Sequence, residues 1–149
     1  MQARLNHREV YPEALKALMS MENAVRKSEL GDVLIDLVYL RVSQLNGCAY
    51  CVDLHSHDLR KRGEREQRVY TVAVWQETTF FSQRERVALA FAEAVTQLGP
   101  DGVPDDIYAA ACAEFGDRQL VELVLAIAAI NAWNRFGVTF RNVPPTRSE

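Results

Sequence analysis

Glycine punctuation is what most restricts the fold of this chain. Gly31, Gly47, Gly63 and Gly116 each stand where an apolar pattern of three- and four-residue spacing breaks off, and no stretch of strict apolar/polar alternation competes with that pattern. Pro12 suits a first helical turn, and Leu15, Leu18, Met19 and Val25 carry a helix toward Gly31. Asp32 is placed to cap a second helix bearing Leu34, Leu37, Val38 and Val42, which Asn46 and Gly47 end with left-handed residues. A third runs from Cys48 to about Arg62, and a fourth lies between Glu64 and Gln76, followed by a loop over 78–81. Ser82 and Glu85 match a capping box, in which hydroxyl and carboxylate each satisfy a free backbone N–H ahead of the helix carrying Val87 to Leu98. After the turn-rich connector 99–104, a short helix through Ile107 and Ala111 closes at Gly116. Asp117 then caps a last helix from Arg118 to about Phe136, apolar on most sides and so expected at the centre. The expectation is an all-α bundle of six to seven helices in one domain spanning 1–149, with a fraying tail after Arg141.

Charge and cysteine content then exclude whole classes of function. Basic and acidic residues, 17 and 20 of them, are mixed along the chain and leave no basic stripe for a phosphate backbone, so nucleic acid is not expected as a partner. The N-terminal residues lack an apolar signal region, and the run Leu123–Ala132 falls short of the roughly 20 residues that span a bilayer, so no membrane segment is expected. Three cysteines, two of them close together, suit redox chemistry in a reducing compartment better than a stapled secreted domain, which places the chain in the cytoplasm.

The chemistry concentrates in Cys48, Cys51 and His55. At about 100° per residue, Cys51 is turned about 60° and His55 about 20° from Cys48, so all three share one narrow helical sector. His55 is then within reach of the Cys51 thiol, directly or through one water. A thiol beside an imidazole near a helix N-terminus favours the reactive thiolate. The expected cycle has Cys51 attack a peroxide and become a sulfenic acid while His55 handles the proton; Cys48 resolves it to a disulfide, which an external dithiol reduces. The same pair could instead be half of a zinc site or a reduced structural pair. Zinc lacks a fourth ligand, because His57 points about 180° away from Cys48, so no metal and no cofactor are expected. Cys112 reads as a core thiol, His7 and His57 as solvated surface, and Trp75, Trp133, Phe91 and Phe115 as core.

Four segments carry a family likeness. They are Leu40-Arg-Val-Ser-Gln-Leu-Asn-Gly-Cys48-Ala-Tyr-Cys51-Val-Asp-Leu-His55, Tyr70-Thr-Val-Ala-Val-Trp75, Ser82-Gln-Arg-Glu85-Arg-Val-Ala-Leu89, and Ile130-Asn-Ala-Trp133-Asn-Arg135-Phe136. In these the chain resembles the alkylhydroperoxidase D-like branch of the carboxymuconolactone decarboxylase family through most of its length. The resemblance implies an all-helical fold assembled as trimers or hexamers, a weak peroxidase activity from the CxxC pair, and a lipoylated or thioredoxin-like protein as reductant. It also implies a proton relay through His55 to a carboxylate twelve residues before the first cysteine, which here is Asp36, one methylene shorter than the family's glutamate. Tyr50 stands where the family's peroxidases carry a second histidine, and a phenol near neutral pH is no base. Three other readings remain at this stage: a general thiol–disulfide oxidoreductase, a redox-sensing scaffold and, least favoured by the CxxC, a lactone decarboxylase.

Overall fold

In the computed structural model, which describes residues 2–147, every regular element is helical. A single turn, α1 (His7–Val10), leads into α2 (Pro12–Arg26), with Pro12 at its first position. Next come α3 (Asp32–Leu45), α4 (Ala49–Lys61) and α5 (Glu66–Thr71), which tightens into a 3-10 segment, Val72–Glu77. The series ends with α6 (Gln83–Thr96) and α7 (Asp105–Thr139), the latter interrupted at Gly116. The expected break between two helices is there, since Gly116 takes φ 64° and ψ 176°, backbone angles that an α-helix cannot contain. The α6 start carries the capping box in full: Ser82 Oγ accepts from the Glu85 N–H at 3.3 Å, and the Glu85 carboxylate accepts from the Ser82 N–H at 2.7 Å.

The buried helix at the heart of the bundle is α3. Leu34 through Leu40 are all inside, as are Val42 and Ser43, because α4, α6 and α7 cover it from different sides. A helix apolar all round must be enclosed to be stable, and here the enclosure carries Asp36 and Ser43 inward with the hydrocarbons. One apolar cluster joins α3 to α7 and includes both Cys48 and Cys51. A second gathers Leu37, Leu40, Leu59, Val72, Trp75 and Leu89 where α3, α4 and α6 meet.

Three local expectations need correction. The fourth helix is a short α-helix continued as 3-10, with Val74 off helical angles. Asn46 stays in the right-handed region, and Gly47 alone, at φ 67°, supplies the left-handed residue between α3 and α4. α7 is central, packing on α2, α3, α4 and α6, yet Val121 and Val124 lie on an exposed stripe of it. By length and composition α7 also meets the requirement for a membrane span, which the shorter run Leu123–Ala132 does not; in the fold its Leu123, Ala126, Ile127 and Ile130 are core.

Candidate active site

The turn at Gly47 delivers Cys48 to the N-cap of α4 and Cys51 to its first turn. The Cys48 N–H donates to the Ser43 carbonyl at 3.0 Å, which ties the turn to the end of α3. Both cysteines are unlinked and almost fully buried, at 2% and 5% exposure. Their thiols form a hydrogen-bonded pair in which Cys51 donates and Cys48 accepts. That donation, with the Cys51 and Tyr50 backbone N–H groups and the Asn134 amide, outweighs burial and draws Cys48 down to about 7. The same bond, reinforced by burial, pushes the Cys51 thiol up. Loss of the pair's first proton therefore favours charge on Cys48 over Cys51.

Behind the sulfurs lies Gly137 of α7. A Cβ at this position would stand 2.7 Å from Cys48 Sγ and 3.6 Å from Cys51 Sγ, so the missing side chain is what lets the pair sit against the helix. Asn134, one turn earlier and fully buried, donates from Nδ2 to Ser43 Oγ at 3.0 Å and accepts from Asn46 Nδ2 at 2.9 Å.

His55 follows Cys51 by one turn and is 6% exposed. Its ring meets Tyr39 edge to face at 4.9 Å between centroids. Its Nδ1 lies 3.4 Å from Asp36 Oδ1 without the alignment of a formed hydrogen bond. Asp36, with no exposure at all, is gripped by two arginines: Arg26 Nη2 donates to Oδ1 at 2.6 Å and Arg62 Nε to Oδ2 at 2.8 Å. Burial alone would raise this carboxyl, but His55, Arg26 and Arg62 together hold it at about 2. Arg26 also reaches Glu22 at 2.8 Å, and Glu22 accepts from the Tyr39 hydroxyl at 2.8 Å, so a connected charge network backs the imidazole.

Cys51, His55, Tyr39, Tyr50, Trp133 and Arg26 line a cavity of about 420 Å³, with Leu54, Ile130 and Met19 adding apolar wall. Cys48 is not on that wall, so the cavity meets the pair through Cys51. On its wall His7 is buried against Phe136 and Phe140 at 5.2 and 5.0 Å, which corrects the surface position expected for it. His57 is half-buried and Cys112 partly buried, and neither lines the cavity. Trp75, Phe91 and Phe115 are core as expected, whereas Trp133 is only partly buried, on the cavity wall.

The fold brings Cys48, Cys51 and His55 together, as their spacing anticipates, and sets Asp36, which the family resemblance implies, beside His55. Sequence reasoning missed Arg26, Arg62, Asn134 and Gly137. Arg62, the C-cap of α4, had a signal in lying seven residues after His55, and Asn134 stood in the family-like segment Ile130–Phe136; Arg26 and Gly137 come from distant elements and had none. Among the described residues, Asp36, His55 and Asp58 offer one possible metal-ligand atom each, all within 4.8 Å of one another. Both Asp36 oxygens already accept from guanidiniums, so a cation there must displace them.

Comparison with known proteins bears on the family and the fold. The family model for the carboxymuconolactone decarboxylase family matches residues 12–94. YdfG, an uncharacterized protein of Bacillus subtilis strain 168, is 39% identical over 142 residues, which cover 95% of this chain and 97% of that one. A solved structure from Agrobacterium tumefaciens, of a protein of unknown function described as a putative antioxidant defence protein AhpD, superposes with a TM-score of 0.94 at 40% identity. That match covers 98% of this chain and 100% of the other. The debrominase Bmp8, at 19% identity and a TM-score of 0.81 over 93% of this chain and 74% of its own, shares the fold.

Proposed function

Given that the chain belongs to the carboxymuconolactone decarboxylase family and has its alkylhydroperoxidase D-like all-helical fold, we propose that it is a thiol peroxidase working through Cys48, Cys51 and His55. The observation that carries this reading is the placement of Cys51 and His55 on the wall of a largely apolar cavity, with the Cys48 sulfur beside Cys51 against Gly137. An organic hydroperoxide enters with its apolar body against Trp133, Ile130 and Leu54. Cys51 sulfur attacks the distal oxygen, the O–O bond breaks, and the alkoxide leaves. The Cys51 proton passes to Cys48, and the alkoxide takes a proton delivered at His55, so an alcohol is released and Cys51 becomes a sulfenic acid. Cys48 sulfur then attacks Cys51 sulfur, its proton joins the departing hydroxide as water, and a disulfide remains. An external dithiol, lipoylated or thioredoxin-like, returns the pair of electrons by exchange. The working form on this reading is a cytoplasmic homo-oligomer, a trimer or hexamer.

A second reading, general thiol–disulfide exchange, draws on two features that weaken proton delivery to a peroxide: Tyr50 is no base, and Asp36 is committed to two arginines. Turnover of an organic hydroperoxide with dihydrolipoamide as reductant separates the two. The peroxidase reading expects activity in the native chain, none above background in Cys51→Ser, and a sulfenate trapped at Cys51 in Cys48→Ser. Undiminished turnover in Cys51→Ser rules it out. Disulfide exchange without peroxide turnover supports the second reading.

A further inference from the structure

Along α7, Leu123, Ile127, Ile130 and Asn134 follow at spacings of four, three and four on one buried face. Three are hydrocarbons, and the fourth position puts a primary amide where another leucine would pack. A buried amide is costly unless all its groups are matched, so its partners show its use. The orientation of this amide is forced by its neighbours. The Ile127 carbonyl can only accept, so the Asn131 nitrogen must face it, at 2.9 Å. Asn131 oxygen therefore turns to Asn46 Nδ2, also at 2.9 Å. From the other side, Arg135 Nη1, which can only donate, lies 3.1 Å from the Asn46 oxygen and fixes the same flip. The second N–H of Asn46 goes to the Asn134 oxygen, so Asn134 must present its nitrogen toward Ser43, one turn before Gly137, where an added Cβ would meet both sulfurs, and its amide favours both thiolates.

We propose that Asn134 is the thiolate-stabilising residue of the Cys48–Cys51 pair, its N–H locked toward the sulfurs by the Asn131–Asn46 chain so that a negative sulfur meets a donor already in place. The inference deepens, and rests on, the reading of these cysteines as a redox pair. A donor fixed before charge develops needs no reorganisation when it does, and in a buried site its effect is large. The groups acting on Cys48 are Cys51 and two backbone N–H groups of α4 and the Asn134 amide of α7, with Ser43 of α3 beside Cys51; none is charged apart from the pair itself.

Asn134→Leu keeps the volume and removes the donor. Two readouts need no peroxide: the pH midpoint of Cys48 alkylation mapped by mass spectrometry, and the disulfide-to-dithiol ratio in a glutathione buffer above pH 7. In that buffer one oxidised glutathione becomes two reduced ones as the protein pair oxidises. The donor stabilises only the reduced thiolate, so the variant raises the midpoint by about one unit and the disulfide ratio about tenfold. Asn46→Ser, which frees the Asn134 amide to turn its oxygen to the sulfurs, shifts both in the same direction by less, and it decides the matter alone if the leucine variant does not fold. Native midpoints and ratios in these variants overturn the proposal. If native protein forms no Cys48–Cys51 disulfide in any buffer, the redox reading fails instead, while the alkylation midpoint still tests Asn134.

Discussion

Gly137→Ala is the sharpest perturbation the structure offers. On an ordinary helix this change helps, by up to about 1 kcal/mol, since alanine is the better helix former. Position 137 is buried in α7 and has no left-handed backbone to protect, so intrinsic propensity alone predicts a gain. Contact predicts the reverse. The new methyl would stand 2.7 Å from Cys48 Sγ, against the roughly 3.5–4 Å at which such atoms rest. Cys48 is short and sits at the N-cap of α4, with its own N–H bonded to Ser43, so its sulfur cannot swing away freely. Overpacking of this kind costs about 1–3 kcal/mol, leaving a net loss of about 0–2 kcal/mol. Urea denaturation of the reduced protein measures that loss, and the rate of disulfide closure after one equivalent of peroxide should fall with it as the sulfurs are forced apart. A variant more stable than the native chain, with native closure, refutes the placement of the pair against α7.

Other outcomes follow from the same geometry. The first thiol of the pair should alkylate with a rate that rises through about pH 7 and the second only well above it, as mapped by mass spectrometry over a pH series. Asp36→Asn leaves the guanidiniums of Arg26 and Arg62 without their shared carboxylate. Arg62 is partly solvated, so the expected loss is about 3 kcal/mol, at the low end for a broken buried pair, read from chemical denaturation. The Asp36 carboxyl sits at about 2 when folded against 3.8 unperturbed. Its stabilisation is thus complete above pH 4 and fades as pH falls toward 2, by about 2 kcal/mol, and Asp36→Asn should remove that part of the acid limb. His55→Asn should lower peroxide turnover about a hundredfold while leaving slow thiol–disulfide exchange in place.

Local signals carried the fold because helix punctuation is chemical and short-range. Gly116, Ser82 with Glu85, and Pro12 act within one turn of themselves, and all three do what their types suggest. Asn46 misled because either it or Gly47 can supply a left-handed residue, and the chain needs one. The site was legible to the extent that it lies on one helix: Cys48, Cys51 and His55 share α4, and their spacing puts them on one side of it. Asp36 came from the family likeness, and its arginine clamp did not, since Arg26 approaches from α2. Gly137 was silent because what matters there is what lies opposite, a sulfur pair brought from α4, and Asn134, though in a family-like segment, gave no sign of its partner Ser43 on α3. His7 was misjudged for the same reason, its burial being made by Phe136 and Phe140 from the far end of the chain.

The central claim is that Cys48 and Cys51 give up two electrons together to a peroxide. Reduced protein mixed with one equivalent of an organic hydroperoxide, quenched with an alkylating agent and mapped by mass spectrometry, tests it directly. The account predicts one alcohol released per chain, a single peptide pair joined through Cys48 and Cys51, and Cys112 alkylated throughout. Loss of one thiol per peroxide with a lasting sulfenate, or oxidation no faster than that of a free thiol, contradicts it.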